Sequence, residues 1–177
     1  ELSRWPLRRP GVVAIPNVQP VPPGSYEPRI EHSLHIVGNG RLGPQKDPEF
    51  FAAAVAAARA EFPDIEATWI GDGDPAIADA LRGQAITVTG WLSRQKALEV
   101  MASGDLYLHS AEWEGFPIAI LEAAGLGLPV VARNRPYLSG VALPEGGTYV
   151  GTFQVKVSRR VWVGHVFDFG YRTEVHK

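Results

Sequence analysis

Residues 105–132 read DLYLHSAEWEGFPIAILEAAGLGLPVVA, with an apolar run at each end and a longer helical pattern between them. The runs at 105–109 and 129–132 predict short buried strands, and residues 117–126 predict a helix. Pro117 fits the first helical turn, where its missing N–H costs no hydrogen bond. The stretch therefore predicts one complete strand–helix–strand unit.

The same alternation of strand and helix continues towards the N-terminus and once beyond this unit. Strands are predicted at 34–37, 67–70 and 85–89, helices at 47–62, 75–81 and 93–101, and a further strand at 148–151. Strict alternation predicts an α/β fold, namely a Rossmann-like, doubly wound parallel sheet of about six strands with helices on both faces. Ligands of such sheets bind at the carboxyl ends of the strands, so residues that follow strands are the candidate site residues.

Composition restricts the function before any motif is considered. The chain has 177 residues, of which 45% are hydrophobic and 20% charged, as expected for one globular domain. The net charge of -2 gives no basic excess for nucleic acid. The absence of cysteine excludes disulfides, cysteine zinc sites and a thiol nucleophile. No apolar run approaches the roughly 18 residues of a membrane span.

Three segments of the chain differ in composition. Residues 1–30 hold seven of the fifteen prolines and are predicted to be an interdomain linker or edge segment. Residues 31–150 carry the alternating strands and helices of the predicted Rossmann-like domain. Residues 151–177 contain no Ala, Leu or Ile and predict either an added β-hairpin or non-native sequence, such as that from a shifted reading frame. The aromatic residues of this tail need cover, so a dimer through the tail is one expected outcome.

A glycine-rich turn, GNGRLG at residues 38–43, follows the first predicted strand. It spells G-x-G-x-x-G, but a dinucleotide fingerprint needs a helix that opens within the motif, and the predicted helix starts only near Asp47. An NAD-dependent oxidoreductase is therefore the less favoured alternative. Arg41 and Lys46 are placed to flank a diphosphate, because Arg offers a planar fork and Lys a point charge to phosphate oxygens. The other interpretation of this pair is two solvated loop charges.

A second candidate turn, EWEGFPIAILE at residues 112–122, joins the fourth strand to the fourth helix. Glu114 precedes the helix and Glu122 lies within it, with seven residues between them. The amides at the start of the helix form an anion site. Glu122 has apolar neighbours, so its carboxylate needs a partner, and the two hydroxyls of a nucleotide ribose would provide one.

These motifs, in this order, resemble those of the retaining GT-B glycosyltransferases, and of glycosyltransferase family 4 (group 1) in particular. The E-G-F-P-x4-E segment and the apolar residues 123–132 are similar to the E-x7-E signature of that family. The turn with Arg41 and Lys46 is similar to its G-R-L…K turn, and the matches cover about residues 14–150. The resemblance implies the C-terminal, nucleotide-sugar-binding domain of such an enzyme, which is one half of a GT-B fold.

The resemblance also implies a role for each matching residue. Arg41 and Lys46 would bind the donor diphosphate and stabilise the leaving group. Glu114 would contact hydroxyls of the donor sugar, and Glu122 would hold the ribose. The further donor-binding residues implied are Gly40, Gly115, Phe116, Pro117 and Ile118, with the amides of Gly115, Phe116 and Ile118 facing the donor. No metal or other cofactor is expected, because cations and a helix N-terminus can meet the charge of a leaving nucleoside diphosphate.

Three side chains near these turns need separate consideration. Trp91 follows the third strand and either stacks on the nucleotide base or packs into the domain. His109 ends the fourth strand and either contacts the donor or is a satisfied histidine beside the sheet. Glu112, two residues before Glu114, is predicted to be solvated.

The resemblance implies a reaction that this chain alone does not complete. The expected function is transfer of a sugar, with retention, from a nucleoside-diphosphate sugar to an acceptor. The partners would be the nucleotide-sugar donor and a missing N-terminal acceptor-binding domain, with no nucleic acid, and the isolated chain is expected to be inactive. The full-length protein would act in the cytoplasm or at a membrane surface. A non-catalytic nucleotide-binding module of the same fold is the alternative.

Overall fold

The computed structural model describes residues 33–133 and 135–140. Within them the elements alternate along the chain as β1 (His35–Asn39), α1 (Pro48–Glu61), β2 (Glu66–Ile70), α2 (Pro75–Arg82), β3 (Thr87–Val88), α3 (Arg94–Ala102), β4 (Leu106–His109), α4 (Ile118–Gly125) and β5 (Val130–Ala132). A 3-10 helix that the sequence patterns do not predict follows at Pro136–Gly140. None of the helices in this part of the chain is long and apolar enough to span a membrane. The predicted linker at 1–30, sixth strand at 148–151 and tail at 151–177 lie outside the described residues.

The strands of the described residues form one parallel sheet in the order β3-β2-β1-β4-β5. This order confirms the Rossmann-like, doubly wound prediction, with five strands in this part of the chain. Strand β3 is shorter than predicted because Ala85, with a φ of 55°, still belongs to the turn after α2. The winding reverses between β1 and β4, so the ligand crevice of the fold lies at the carboxyl ends of those two strands.

The sheet separates two buried apolar layers, which confirms that helices cover both faces. On one face α1 and α2 pack through side chains that include Phe51 and Leu81. On the other face α3 and α4 pack through side chains that include Met101 and Ile120. Each such side chain contributes about 1.5–3 kcal/mol on full burial. The two layers therefore hold the strand ends, and the loops that follow them, in fixed positions.

Three helices begin after side-chain caps that the sequence places directly before them. Asp47, Asp74 and Ser93 each accept a hydrogen bond from a first-turn amide, at 3.0, 2.8 and 3.4 Å. Helix α4 has no side-chain cap. It begins at Ile118, one residue later than predicted, because Pro117 adopts a non-helical backbone with φ -81° and ψ 74°.

The loops after β1 and β2 meet backbone to backbone. The Gly40 amide donates to the Ile70 carbonyl at 2.9 Å, and Trp69 Nε1 donates to the Gly40 carbonyl at 3.0 Å. Gly71 has a φ of 144°, and a Cβ atom added to it would overlap the Gly40 carbonyl oxygen. Gly40 has a φ of 140°, and its added Cβ would lie 2.5 Å from Lys46 Cγ. Both positions therefore require glycine, which fixes the shape of the turn that carries Lys46.

Candidate functional site

The turn after β1 and the turn after β4 are fastened together at the carboxyl edge of the sheet. Ser110 Oγ donates to the Lys46 carbonyl at 2.6 Å, and the Glu112 amide donates to the Gln45 carbonyl at 2.9 Å. The Lys46 ammonium and the Glu114 carboxylate form an ion pair between the same two turns. Because the winding of the sheet reverses between these two strands, the contacts lie where a doubly wound sheet binds its ligand.

The Lys46 side chain runs across Gly40 to reach Glu114. The exposed fraction is 21% for the Lys46 side chain and 9% for that of Glu114. A lysine ammonium has three donors, so the ion pair leaves donors for a ligand. Arg41, in the same turn, is exposed and forms no ion pair with any residue that the structure describes. The turn therefore offers one cation held against the sheet and one at the surface.

The start of α4 presents two amides at the same edge. Within the described residues, no acceptor takes a hydrogen bond from the amides of Gly115 and Phe116. The Ile118 amide was predicted to face the donor. Instead it donates to the Phe116 carbonyl at 2.9 Å, because the chain turns tightly at Pro117. Two of the three predicted amides are thus available to an anion.

Glu122 lies within α4 and pairs with Arg94 at the start of α3. Arg94 Nε and Nη2 lie 3.1 and 3.0 Å from Glu122 Oε1. The Glu122 side chain is 12% exposed and that of Arg94 is 47% exposed. The carboxylate has a partner, as its apolar surroundings require, but the partner is an arginine from another strand–helix unit that no sequence pattern connects with Glu122.

A second charge network, absent from the sequence predictions, ties the chain after β5 to the other two turns. Arg133 contacts Asp47 and, at 2.8 Å, Glu112, while Arg135 contacts Glu112 as well. The Arg133 guanidinium also lies 4.4 Å from the centre of the Phe50 ring. The prediction that Glu112 is solvated is therefore met only in part, since its side chain is 37% exposed but two arginines bind it. The sequence signal for this network is the pair of arginines that follows the fifth strand.

His109 ends β4 in a buried polar cluster. Tyr107 Oη donates to Asn39 Oδ1 at 2.7 Å and lies 3.1 Å from His109 Nδ1. A hydroxyl has one proton, so Nδ1–H donates to Tyr107 and Nε2 of the neutral ring is an acceptor. Among the described residues, Nε2 has no hydrogen-bond partner although it is buried. Nδ1 is thus satisfied within the sheet, Nε2 is buried without a partner among these residues, and a contact of His109 with a donor stays a prediction.

Burial, and to a smaller extent the positive charge of Lys46, lowers the pKa of His109 to about 3. An unfolded histidine has a pKa of about 6.5, so between these values the unfolded chain binds one more proton than the folded chain. The resulting stabilisation is fully present above about pH 6.5 and is lost as the pH falls towards about 3. We expect His109 to lower the free energy of unfolding by about 1.4 kcal/mol from about pH 7.5 to about pH 5.5, and His109→Gln to lack this contribution. Urea unfolding at both pH values measures it, and the same pH dependence in both proteins would contradict it.

Trp91 and Trp113 are exposed aromatic side chains in the loops after β3 and β4. Trp91 is 84% exposed and Trp113 is 52% exposed. The packing interpretation of Trp91 is therefore wrong, because the left-handed backbone of Gly90, with a φ of 72°, bends the chain after β3. Stacking of Trp91 on a base stays a prediction.

The glycine-rich turn after β1 does not open a helix. Helix α1 begins at Pro48, well beyond Gly43, and Asp47 caps it. A dinucleotide fingerprint places the pyrophosphate on a helix that starts inside the motif. The geometry of this turn therefore disfavours the NAD alternative.

The fold and the site together define a class of protein. The chain is a Rossmann-like α/β domain in which a basic turn, an acidic turn and two available amides meet where the winding of the sheet reverses. Residues 32–151 match the family model described as glycosyl transferases group 1. The chain belongs to that family.

Two curated relatives and one solved structure illustrate the similarity. The chain is 32% identical over 104 residues to UDP-Gal:alpha-D-GlcNAc-diphosphoundecaprenol alpha-1,3-galactosyltransferase of Escherichia coli, covering 54% of this chain and 26% of that protein. It is 32% identical over 127 residues to phosphatidyl-myo-inositol mannosyltransferase of Propionibacterium freudenreichii subsp. shermanii, covering 71% and 32%. The pneumococcal O-GlcNAc transferase GtfA, solved in complex with UDP and GlcNAc, shares the fold with a TM-score of 0.56 at 21% identity, covering 68% of this chain and 25% of that one. The chain thus spans about a quarter to a third of the length of these proteins.

Proposed function

We propose that this chain is the donor-binding domain of a retaining glycosyltransferase, which transfers a sugar from a nucleoside-diphosphate sugar to an acceptor. The observation that carries the proposal is the Lys46–Glu114 ion pair at the point where the sheet reverses. Lysine binds phosphate oxygens, and a carboxylate accepts hydrogen bonds from sugar hydroxyls. In a nucleotide-sugar the diphosphate and the sugar are joined directly, so one such pair is suited to contact both.

Catalysis in this proposal is stabilisation of the leaving nucleoside diphosphate. Arg41 is exposed at the edge, and Lys46 has donors beyond the one that Glu114 uses. Together with the amides of Gly115 and Phe116, these cations would meet the charge that develops on the diphosphate as its bond to the sugar breaks. The acceptor hydroxyl would attack the same face of the sugar and pass its proton to the departing diphosphate oxygen, which retains the configuration and requires neither a protein nucleophile nor a metal.

The nucleoside is proposed to bind on the α3 and α4 side of the edge. Glu122 would accept hydrogen bonds from the ribose hydroxyls through Oε2, since the Arg94 contacts engage Oε1. Trp91 would stack on the base, because its side chain is exposed and aromatic. His109 Nε2 is buried and has no partner among the described residues, so it would accept a hydrogen bond from a hydroxyl of the donor only if the side chains over it move aside.

The complete enzyme in this proposal has a second domain that binds the acceptor. The alignments cover 26% and 32% of the two curated relatives, which leaves room in such proteins for that domain. We propose that the full-length protein acts in the cytoplasm or at a membrane surface. The chain on its own would bind the donor without transferring the sugar.

We expect the chain to bind UDP or GDP with a Kd in about the micromolar to millimolar range, because the chain contains the groups proposed to bind the diphosphate. UDP is the first ligand to test, since the name of the Escherichia coli relative states a UDP-linked donor and the pneumococcal structure holds UDP. Isothermal titration calorimetry measures the affinity. Uridine is the matched ligand without the diphosphate, and it should bind at least about tenfold more weakly.

Two outcomes of these measurements would count against the proposal. A folded sample that gives no heat with any nucleoside diphosphate would contradict donor binding. A melting temperature raised by NAD, and by neither UDP nor GDP, would favour the oxidoreductase alternative.

A further inference from the structure

The Arg94–Glu122 ion pair engages one oxygen of the carboxylate. Arg94 Nε and Nη2 lie 3.1 and 3.0 Å from Oε1, whereas a fork-to-fork pair would use both oxygens. Within the described residues nothing donates to Oε2. One oxygen is therefore held in place by two donors, and the other keeps its lone pairs for a hydroxyl.

The surroundings of the pair limit how Glu122 can move. Arg94 is the first residue of α3, directly after the cap Ser93, and Glu122 lies inside α4. The Glu122 side chain is 12% exposed, and Arg94, which is 47% exposed, lies against it. Without the guanidinium, the carboxylate would be an unbalanced anion between apolar neighbours, and it would repel an anionic ligand.

We propose that Arg94 is a positioning residue: it holds Glu122 by Oε1, presents Oε2 to the ribose of the bound nucleotide, and balances the charge of the carboxylate. This inference rests on the proposed function, because it takes Glu122 as the ligand of the ribose. Arg94 does not contact the ribose itself. It follows that the selectivity for ribose over deoxyribose depends on a side chain that does not contact the sugar.

The test compares UDP with its 2′-deoxy and 3′-deoxy analogues, by calorimetry on the chain. The wild-type chain should bind UDP about tenfold more tightly than the analogue that lacks the hydroxyl bound by Oε2. In Arg94→Ala the affinity for UDP should fall about tenfold. The affinities of this variant for UDP and for the same deoxy analogue should then differ by no more than about twofold. If the alanine variant lowers the melting temperature, the same comparison is made with Arg94→Gln, whose amide keeps N–H donors but lacks the charge.

Arg82→Ala is the matched control for the loss of a surface arginine. Arg82 pairs with Asp79 at 2.9 Å on α2, where both side chains are more than half exposed, at 53% and 77%. This variant should leave the UDP affinity and the ribose preference unchanged.

A double-mutant cycle with Glu122→Gln separates an action through Glu122 from a direct contact with the ligand. Once residue 122 is glutamine, Arg94→Ala should not alter the preference for ribose any further. Additive effects of the two substitutions would overturn the inference, because they would mean that Arg94 acts on the nucleotide independently.

Three other results distinguish this inference from the proposed function. If the wild-type chain binds no nucleoside diphosphate, the proposed function itself fails. If the wild-type chain prefers UDP to the analogues and Arg94→Ala keeps that preference, the inference about Arg94 alone is wrong. A gain in UDP affinity in Arg94→Ala would also overturn it, since the ion pair would then obstruct the site.

Discussion

Replacing Lys46 by methionine is expected to lower the turnover of the full-length transferase by about a hundredfold to a thousandfold, the effect of removing one donor that stabilises developing charge. Methionine keeps a stem that can cross Gly40 and removes the ammonium. The substitution also leaves the Glu114 carboxylate, 9% exposed, without its ion-pair partner, beside the proposed position of the anionic diphosphate. In the chain by itself, the affinity for UDP should fall about tenfold to a hundredfold.

Lys96 provides a matched control for this variant. Its ammonium also pairs with a glutamate, Glu99, at 2.7 Å, but on the exposed surface of α3. Lys96→Met should change the turnover and the UDP affinity by less than about twofold. Steady-state kinetics and calorimetry measure the two quantities. If Lys46→Met keeps its turnover while its melting temperature is unchanged, Lys46 does not stabilise the leaving group.

Gly71→Ala is expected to destabilise the domain by about 3–5 kcal/mol, because strain and overlap combine at this residue. The φ of 144° is unfavourable for any residue with a Cβ, and the new methyl group would overlap the carbonyl oxygen of Gly40. The turn at Gly40 and the end of β2 cannot move independently, because hydrogen bonds join them: the Gly40 amide donates to the Ile70 carbonyl and Trp69 Nε1 donates to the Gly40 carbonyl. The melting temperature should fall by about 10 °C.

Gly43→Ala is the matched substitution in the same glycine-rich turn. A Cβ added at Gly43 meets nothing within 4 Å. This variant should keep the wild-type stability or gain up to about 1 kcal/mol, because alanine restricts the unfolded chain more than glycine does. Urea unfolding of both variants gives the difference directly. Equal losses at the two positions would contradict the overlap with Gly40 as the cause.

The fold could be predicted because each strand–helix unit contains its own signals. An apolar run of a few residues marks each strand, and Asp47 and Ser93 mark two helix starts that the structure reproduces. The prediction was weakest at β3, because nothing in an alanine shows that Ala85 adopts a left-handed backbone. The predicted start of α4 was one residue too early, since proline is compatible both with the first helical turn and with the position directly before the helix.

The candidate site could be predicted only as a set of separate positions. A residue that follows a strand must lie at the carboxyl edge, which placed Lys46 and Glu114 on the correct side of the sheet. Their contact could not be predicted, because they are 68 residues apart and the packing of whole units brings them together. Arg94 and Glu122 are 28 residues apart and were missed for the same reason. Arg133 was missed because an arginine after a strand is also common on a solvated surface.

The two-layered core supports the two sides of the candidate site separately. The turn that carries Lys46 leads into α1, which packs on one face of the sheet. The loop with Trp91 leads into α3, the loop with Glu114 leads into α4, and Glu122 lies within α4. Both helices pack on the other face of the sheet. We therefore expect substitutions in the second layer to alter the loops with Trp91 and Glu114 while the turn with Lys46 keeps its packing on the first layer. A domain built in this way can vary one side of its candidate site by mutation while the packing that supports the other side is preserved.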